Sequence, residues 1–227
     1  MKVTLSFEET SSSDVSIMVD VLRASTTITF ALDNFNEIIP CFSPQEAFKI
    51  KDIYNGIVAG ERGGKTIEGF DVGNSPEEVR NYKSDLKTLI LTTTNGTRIL
   101  ESMESTVLVG CLANAKAVAN KSVKLADDHI DVVMAGVKGE FALEDFLAAG
   151  EIIYQITQCC SDCEISDWEK SAILASRDYE LLKNAFKQSR SGKRLTSIGY
   201  EKDVEFCLNK NISNNVGIYK NYKILNI

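Results

Sequence analysis

Four short segments of the sequence combine carboxylates, cations, hydroxyl groups and glycine within a few residues. They are DVLRAST at 20–26, ERGG with GFDVGNS within 61–75, TNGTR at 94–98 and VKGE at 137–140. Each segment directly follows a short apolar run that predicts a β-strand, such as VSIMV or VVMAG. Because ligands of open α/β sheets bind beyond the carboxyl ends of strands, the four segments predict one shared polar site.

The acids of these segments could hold a divalent cation. Asp20 interrupts the apolar run VSIMVDVL, where a carboxylate is costly unless it is paired or binds a cation. An ion pair with Arg23 is the simplest structural explanation for a carboxylate at position 20. The functional explanation is a Mg²⁺ site, since Mg²⁺ takes one or two carboxylates and leaves other positions to water and phosphate oxygens. We predict Asp20, Glu61 and Asp71 as metal ligands, with Asp20 and Glu61 also catalytic.

The remaining polar groups of the segments suit an anionic ligand. Hydroxyl groups and backbone N–H groups at a helix start converge on anions, and arginine binds tetrahedral oxyanions in a bidentate manner. The alternative for TNGTR is an ordinary Asn-Gly turn with a helix cap, and the alternative for the glycine-rich 60–76 is a solvated loop. The predicted substrate-binding residues are Arg23, Ser25, Thr26, Arg62, Gly64, Asn74, Asn95, Gly96, Thr97 and Lys138.

Such a site suits phosphoryl transfer or hydrolysis, which depends on charge neutralisation and positioning. Several phosphatase chemistries are excluded by the sequence. His129 is the only histidine, no cysteine has an arginine six positions later, Leu22 breaks a D-x-D motif at Asp20, and GERGGKT lacks P-loop spacing. Metal-assisted attack by water and attack by a carboxylate such as Asp20 both remain open.

The elements that must position these residues alternate between apolar strands and polar-capped helices. This order predicts an α/β protein with three α/β/α layers, a largely parallel or mixed sheet and a C-terminal helical layer from about Leu143. We expect a single domain over 1–227, with two lobes at about 1–142 and 143–227 as a variant. The C-terminal part predicts one long helix over 167–188, another over 196–208 and a final short hairpin.

Composition limits the partners. The net charge of −7 gives no basic surface for nucleic acid, and no apolar run approaches the roughly 20 residues that span a bilayer. The N-terminus lacks the apolar region of a signal peptide, so we expect a cytoplasmic protein.

Cys160 and Cys163 form a C-x-x-C pair without the second pair of a zinc site. Apolar helix surface after about Gln158 could serve a homo-oligomer.

Longer blocks of the sequence resemble a known family. VDVLRASTTI, AGERGG with GFDVGNSPEEV, LTTTNGTR and KGEFALEDFLAAG occur in that order over about residues 18–150, and GYEKDVEFCLNKN follows near the end. Together they resemble the 2-phosphosulfolactate phosphatase family of coenzyme M biosynthesis. The resemblance implies a Mg²⁺-dependent phosphatase that converts 2-phosphosulfolactate to sulfolactate and phosphate. The alternatives are a phosphatase or transferase for another small phosphorylated carboxylic acid, and a non-catalytic protein that binds small anions.

Overall fold

A computed structural model describes residues 1–93, 99–100 and 103–227. These residues form one ten-stranded sheet with the order β1-β8-β2-β7-β9-β10-β3-β6-β4-β5. Its strands are β1 Lys2–Phe7, β2 Val15–Val19, β3 Glu37–Cys41, β4 Ile57–Arg62, β5 Lys65–Thr66, β6 Thr88–Thr92, β7 Thr106–Gly110, β8 His129–Met134, β9 Gly217–Lys220 and β10 Lys223–Asn226.

Helices cover both faces of this sheet. They are α1 Ala24–Ala31, α2 Pro44–Tyr54, α3 Pro76–Asn81, α4 Ala115–Leu125, α5 Leu143–Cys159, α6 Asp167–Ser176, α7 Tyr179–Gln188, α8 Arg190–Ser197 and α9 Glu201–Phe206. Ser43 and Ser75 start α2 and α3, because each side chain caps the helix ahead of a proline in the first turn, a pattern that is visible in the sequence as Ser-Pro. Within the described ranges, no helix is both long and apolar enough to cross a bilayer.

Alternate residues of the central strands enter two different cores. Ile17 and Val132 face a core shared with α4 to α8, whereas Met18 and Val133 face a core shared with α1, α3, β3, β4 and β6. Because successive strand side chains point to opposite faces, a strand that is apolar throughout must be covered on both sides. The predicted three-layer α/β/α fold with a C-terminal helical layer is confirmed.

The sheet is mixed, and its two parallel blocks run in opposite directions. Strands β1, β8, β2 and β7 form one parallel block and β3, β6 and β4 form the other, with the antiparallel C-terminal hairpin β9–β10 between them. In a flat sheet the carboxyl ends of β2 and β4 would therefore lie at opposite edges. Six strand pairings separate β2 from β4, and a twist of about 20–25° per pairing accumulates to roughly 120–150°. The segments that follow β2 and β4 nevertheless meet in the structure, where the Arg23 guanidinium donates a hydrogen bond to the Gly64 carbonyl at 2.7 Å.

Two of the predicted C-terminal helices are wrong in extent. The run 167–188 divides into α6 and α7, because the Asp178 side chain accepts a hydrogen bond from the Leu181 N–H at 3.0 Å and starts a new helix. The run 196–208 is also divided, since Gly199 has a φ of +92° and ends the turn after α8 before α9 begins. The additional helix α8 contributes Ser191, Arg194 and Leu195 to a cleft beyond the strand ends.

Candidate active site

Four strand ends and helix α8 enclose a cleft of about 240 Å³. The strands β2, β4, β6 and β8 each contribute the residues at or just beyond their carboxyl ends. The residues that line the cleft are Asp20, Leu22, Arg23, Glu61, Arg62, Gly63, Gly64, Asn74, Thr93, Val137, Lys138, Ser191, Arg194 and Leu195. The structure thus brings together most of the polar residues that the sequence placed after separate strands.

Not every predicted residue reaches the cleft. Those that line it are Asp20, Arg23, Glu61, Arg62, Gly64, Asn74 and Lys138. Ser25, Thr26 and Asp71 are absent from its described lining. Asn95, Gly96 and Thr97 lie outside the described residues.

The hydroxyl groups of Ser25 and Thr26 act inside the protein. The Ser25 hydroxyl accepts a hydrogen bond from the Asp20 N–H at 3.2 Å, and the Thr26 hydroxyl donates to the Val21 carbonyl at 2.9 Å. Both residues are fully buried at the start of α1. Both hydroxyl groups therefore hold the backbone that presents Asp20, and the assignment of Ser25 and Thr26 to substrate binding stays a prediction.

Asp71 lies beside β4 on the side of α2. Its carboxylate accepts hydrogen bonds from the Val58 N–H and from the Lys51 ammonium group, both at 2.9 Å. A short parallel bridge between Ala59 and Val72 holds this segment against the strand. The carboxylate consequently pairs with a lysine of α2, and the structure does not bring it to Asp20 and Glu61 as a third acid ligand.

Asp20 and Glu61 are the acids of the cleft, and they are 7% and 8% exposed. Burial, reinforced by the charge of Glu61 and more weakly of Glu144, raises the pKa of Asp20 to about 7, although an N–H donor at Ala24 and the charge of Arg23 oppose the shift. Glu61 accepts a hydrogen bond from the Gly64 N–H at 2.6 Å. The cleft therefore concentrates negative charge at its base.

Arg23 does not neutralise Asp20 by direct pairing. Its guanidinium donates to the Asp203 carboxylate at 2.5 Å and to the Gly64 carbonyl at 2.7 Å, and it lies 4.6 Å from the centre of the Tyr200 ring. Both charged side chains of the pair are almost fully buried. Arg23 thus joins the segment after β2 to the β4–β5 turn and to α9, and Asp203 balances its charge.

Asn74 offers a third oxygen to the base of the cleft. Its side-chain Oδ1 is buried and has no hydrogen-bond partner among the described residues, an arrangement that native proteins usually avoid. No group of three or more histidine, cysteine or acidic side chains within the described ranges could hold a metal ion. A cation here would accordingly use the carboxylates of Asp20 and Glu61, the amide oxygen of Asn74 and water, a donor set that suits Mg²⁺.

Sequence reasoning missed two buried acids near Asp20, namely Glu144 and Asp145. The Asp145 carboxylate accepts from the Val21 N–H at 2.9 Å and the Gly136 N–H at 3.1 Å, so it ties the segment after β2 to the segment after β8. Burial and the nearby charges of Asp20 and Glu144 raise the pKa of Asp145 well above its usual value. In the sequence these acids look like ordinary first-turn residues of a helix, which the helix dipole favours.

Cations surround the mouth of the cleft. The Arg62 guanidinium donates to the carbonyl groups of Glu61 and Phe42 at 2.7 and 2.6 Å and to the Thr92 hydroxyl at 2.9 Å. Lys138 occupies the tight turn after β8 with a φ of +54°. Both cations are exposed and line the same cleft as the buried carboxylates, a combination of charges that suits a phosphate ester together with a divalent cation.

Comparison with known proteins agrees with this chemistry. A family model described as 2-phosphosulpholactate phosphatase matches residues 3–222. A Methanothermobacter thermautotrophicus protein named 2-phosphosulfolactate phosphatase is 49% identical over 224 residues, which cover 99% of this chain and 95% of that protein. A Clostridium acetobutylicum protein named probable 2-phosphosulfolactate phosphatase is 37% identical over 223 residues, covering 96% of this chain and 94% of the relative. The chain belongs to the 2-phosphosulfolactate phosphatase family.

Proposed function

We propose that this chain is a phosphoric monoester hydrolase that converts 2-phosphosulfolactate to sulfolactate and phosphate. The names of its relatives support the substrate. The observation that carries the proposal is the cleft itself, in which Asp20 and Glu61 lie buried beneath Arg62 and Lys138. A receptor that only bound anions would gain nothing from buried carboxylates next to its ligand.

We propose Mg²⁺ as the cofactor. Asp20, Glu61 and the unsatisfied Oδ1 of Asn74 would hold it. When bound, the ion would neutralise charge on the phosphoryl oxygens and so lower the barrier to attack at phosphorus. The donor set argues for a hard, oxygen-preferring cation, because no described histidine or cysteine lines the cleft.

The chain's own residues would bind and orient the ester. Arg62 is held in place by its three acceptors and would direct its remaining N–H groups to the phosphate, together with Lys138 of the same cleft. In the reaction the bond between phosphorus and the C2 oxygen breaks, an oxygen from water bonds to phosphorus, and a proton passes to the leaving oxygen. Asp20 would either take the proton of the attacking water, or attack phosphorus through its own carboxylate and form an aspartyl phosphate that water then hydrolyses.

These two roles of Asp20 can be separated by acid-quenching the enzyme during turnover and measuring its intact mass. A phosphoryl group retained on Asp20 indicates attack by the carboxylate. An unmodified chain together with inversion of configuration at an isotopically chiral phosphate indicates attack by water, because a covalent intermediate would give retention.

A phosphate-release assay tests the function. The purified chain is offered 2-phosphosulfolactate, 2-phospholactate and phosphoglycolate, each with Mg²⁺ and with EDTA. We expect release from 2-phosphosulfolactate to be fastest and to stop in EDTA. Faster release from an ester without a sulfonate contradicts the substrate, and equal rates with EDTA contradict the cofactor.

Two further points stay predictions. We expect the enzyme to act in the cytoplasm and to be able to form a homo-oligomer. Cell fractionation and light scattering of the purified chain measure these properties directly.

A further inference from the structure

Helix α8 brings an arginine to the cleft from a part of the chain remote from the strand ends. Ser191, Arg194 and Leu195 of this helix line the cleft. The Arg194 Nε donates a hydrogen bond to the Gly63 carbonyl at 3.1 Å, so the guanidinium lies against the β4–β5 turn. A Cβ atom added to Gly63 would come within 2.7 Å of the Arg194 Nη2, which shows how closely the two groups approach.

Arg194 has unused capacity to bind an anion. Among the described residues its guanidinium makes that one hydrogen bond and no ion pair. A guanidinium carries five N–H groups, so both Nη atoms remain for a ligand. Arg23 differs in this respect, because Asp203 balances its charge and both of its Nη atoms are occupied.

The α8 side of the cleft differs chemically from its base. The carboxylates of the cleft come from β2 and β4, whereas α8 contributes a hydroxyl group, a cation and an apolar side chain. A side without acids suits an anionic group that is bound but does not react. Of the three anionic groups on phosphosulfolactate, the sulfonate stands on a different carbon from the phosphate and the carboxylate, and must therefore find donors of its own.

We propose that Arg194, with Ser191 beside it, binds the sulfonate of the substrate and makes the enzyme selective for it. The inference rests on the function proposed above and names the part of the cleft that distinguishes a sulfonate from a shorter acid. A guanidinium matches two oxygens of a tetrahedral oxyanion at once, and a nearby hydroxyl can donate to the third.

The test compares two esters that differ in the sulfonate. The variants Arg194→Ala and Arg194→Gln are assayed on 2-phosphosulfolactate and on 2-phospholactate, which keeps the phosphate and carboxylate. We expect both variants to raise KM for 2-phosphosulfolactate about 10- to 100-fold, the usual effect of losing a charged hydrogen-bonded contact. We expect little change in kcat and no change with 2-phospholactate, since binding without reaction affects KM alone.

Two comparisons protect this test from indirect effects. Arg194→Gln can still donate to the Gly63 carbonyl but loses the charge, so it separates support of the turn from anion binding. Lys193→Ala removes an exposed positive charge at the neighbouring position of the same helix. Lys193 itself is not among the residues that line the cleft, so we expect this variant to behave like the wild type. An equal rise in KM for both esters, or no rise for 2-phosphosulfolactate, overturns the inference.

Binding measurements separate this inference from the proposed reaction. If the wild type releases phosphate from neither ester, the proposed function is wrong, and calorimetric binding of sulfolactate and lactate then tests Arg194. Binding of sulfolactate that Arg194→Ala weakens at least about 10-fold, with no such loss for lactate, supports the sulfonate site. Equal binding by the variant and the wild type, or no binding by the wild type, overturns it.

Discussion

Replacing Asp20 with asparagine should make the metal-free protein more stable while removing its activity. Burial and the charge of Glu61 raise the pKa of Asp20 from 3.8 to about 7. Between these two values the folded state keeps a proton that the unfolded state has lost, so the free energy of unfolding falls as the pH rises and levels off above about pH 7. An asparagine at this position would carry no such charge, and its amide oxygen could still accept from the Ala24 N–H.

The size of the effect follows from the shift in pKa. A change from 3.8 to about 7 spans about 3 pH units, and each unit corresponds to about 1.36 kcal/mol. The variant Asp20→Asn should therefore unfold with a free energy roughly 4 kcal/mol above that of the wild type at pH 8. At pH 5 the difference should be about 1.5 kcal/mol, at pH 4 about 0.5 kcal/mol, and it should vanish below about pH 3.

Urea denaturation in EDTA at pH 4, 5 and 8 measures these differences. EDTA matters because a bound cation would stabilise the ionised carboxylate and hide the effect. Asp167→Asn is the matched control, since its carboxylate is fully exposed and the same chemical change there should leave stability almost unaltered. A variant Asp20→Asn that is less stable than the wild type at pH 8, or whose gain is equal at pH 4 and pH 8, refutes the reasoning.

Three other substitutions have clear expectations. Asp203→Ala leaves the buried Arg23 charge without its partner, so the free energy of unfolding measured by thermal and urea denaturation should fall by about 3–5 kcal/mol. An unchanged free energy of unfolding would contradict the importance of the buried pair. Gly150→Ala places a Cβ against the Ala172 carbonyl oxygen, between α5 and α6, and should lower the free energy of unfolding by about 1–3 kcal/mol without changing kcat. An unchanged free energy of unfolding would mean that α5 and α6 can move apart at no cost. Asp71→Asn should keep Mg²⁺-dependent turnover, because its carboxylate lies outside the cleft; loss of Mg²⁺ affinity in an activity titration would restore it as a ligand.

The sequence predicted the strands, the polar segments after them and the family. Uninterrupted apolar runs and Ser-Pro helix starts are local signals, because each is read from residues within one strand or one helical turn. Lys138 and Glu61 were found by the same reasoning, since each follows or ends an apolar run. The blocks that resemble the family are long and carried that identification without knowledge of strand order.

Several contacts of the site residues were not visible in the sequence. The Thr26 hydroxyl donates to the Val21 carbonyl five positions earlier, and the role of Thr26 in substrate binding stays a prediction. Arg23 looked like the partner of Asp20, but it pairs with Asp203, 180 positions later. Arg194 gave no signal, because it stands in a polar helix whose position beside the β4–β5 turn no local pattern encodes.

By itself the sequence determined which segments become strands or helices and which chemical groups stand at the strand ends, because these depend on local periodicity and capping. Only the tertiary structure decided which of those groups share a cleft. The C-terminal hairpin reverses one half of the sheet against the other, and the segments after β2 and β4 nevertheless meet, since Arg23 donates a hydrogen bond to the Gly64 carbonyl. Burial and hydrogen-bond partners exist only once those distant segments have met, and they set the charge on Asp20 and leave N–H groups of Arg194 without an acceptor among the described residues.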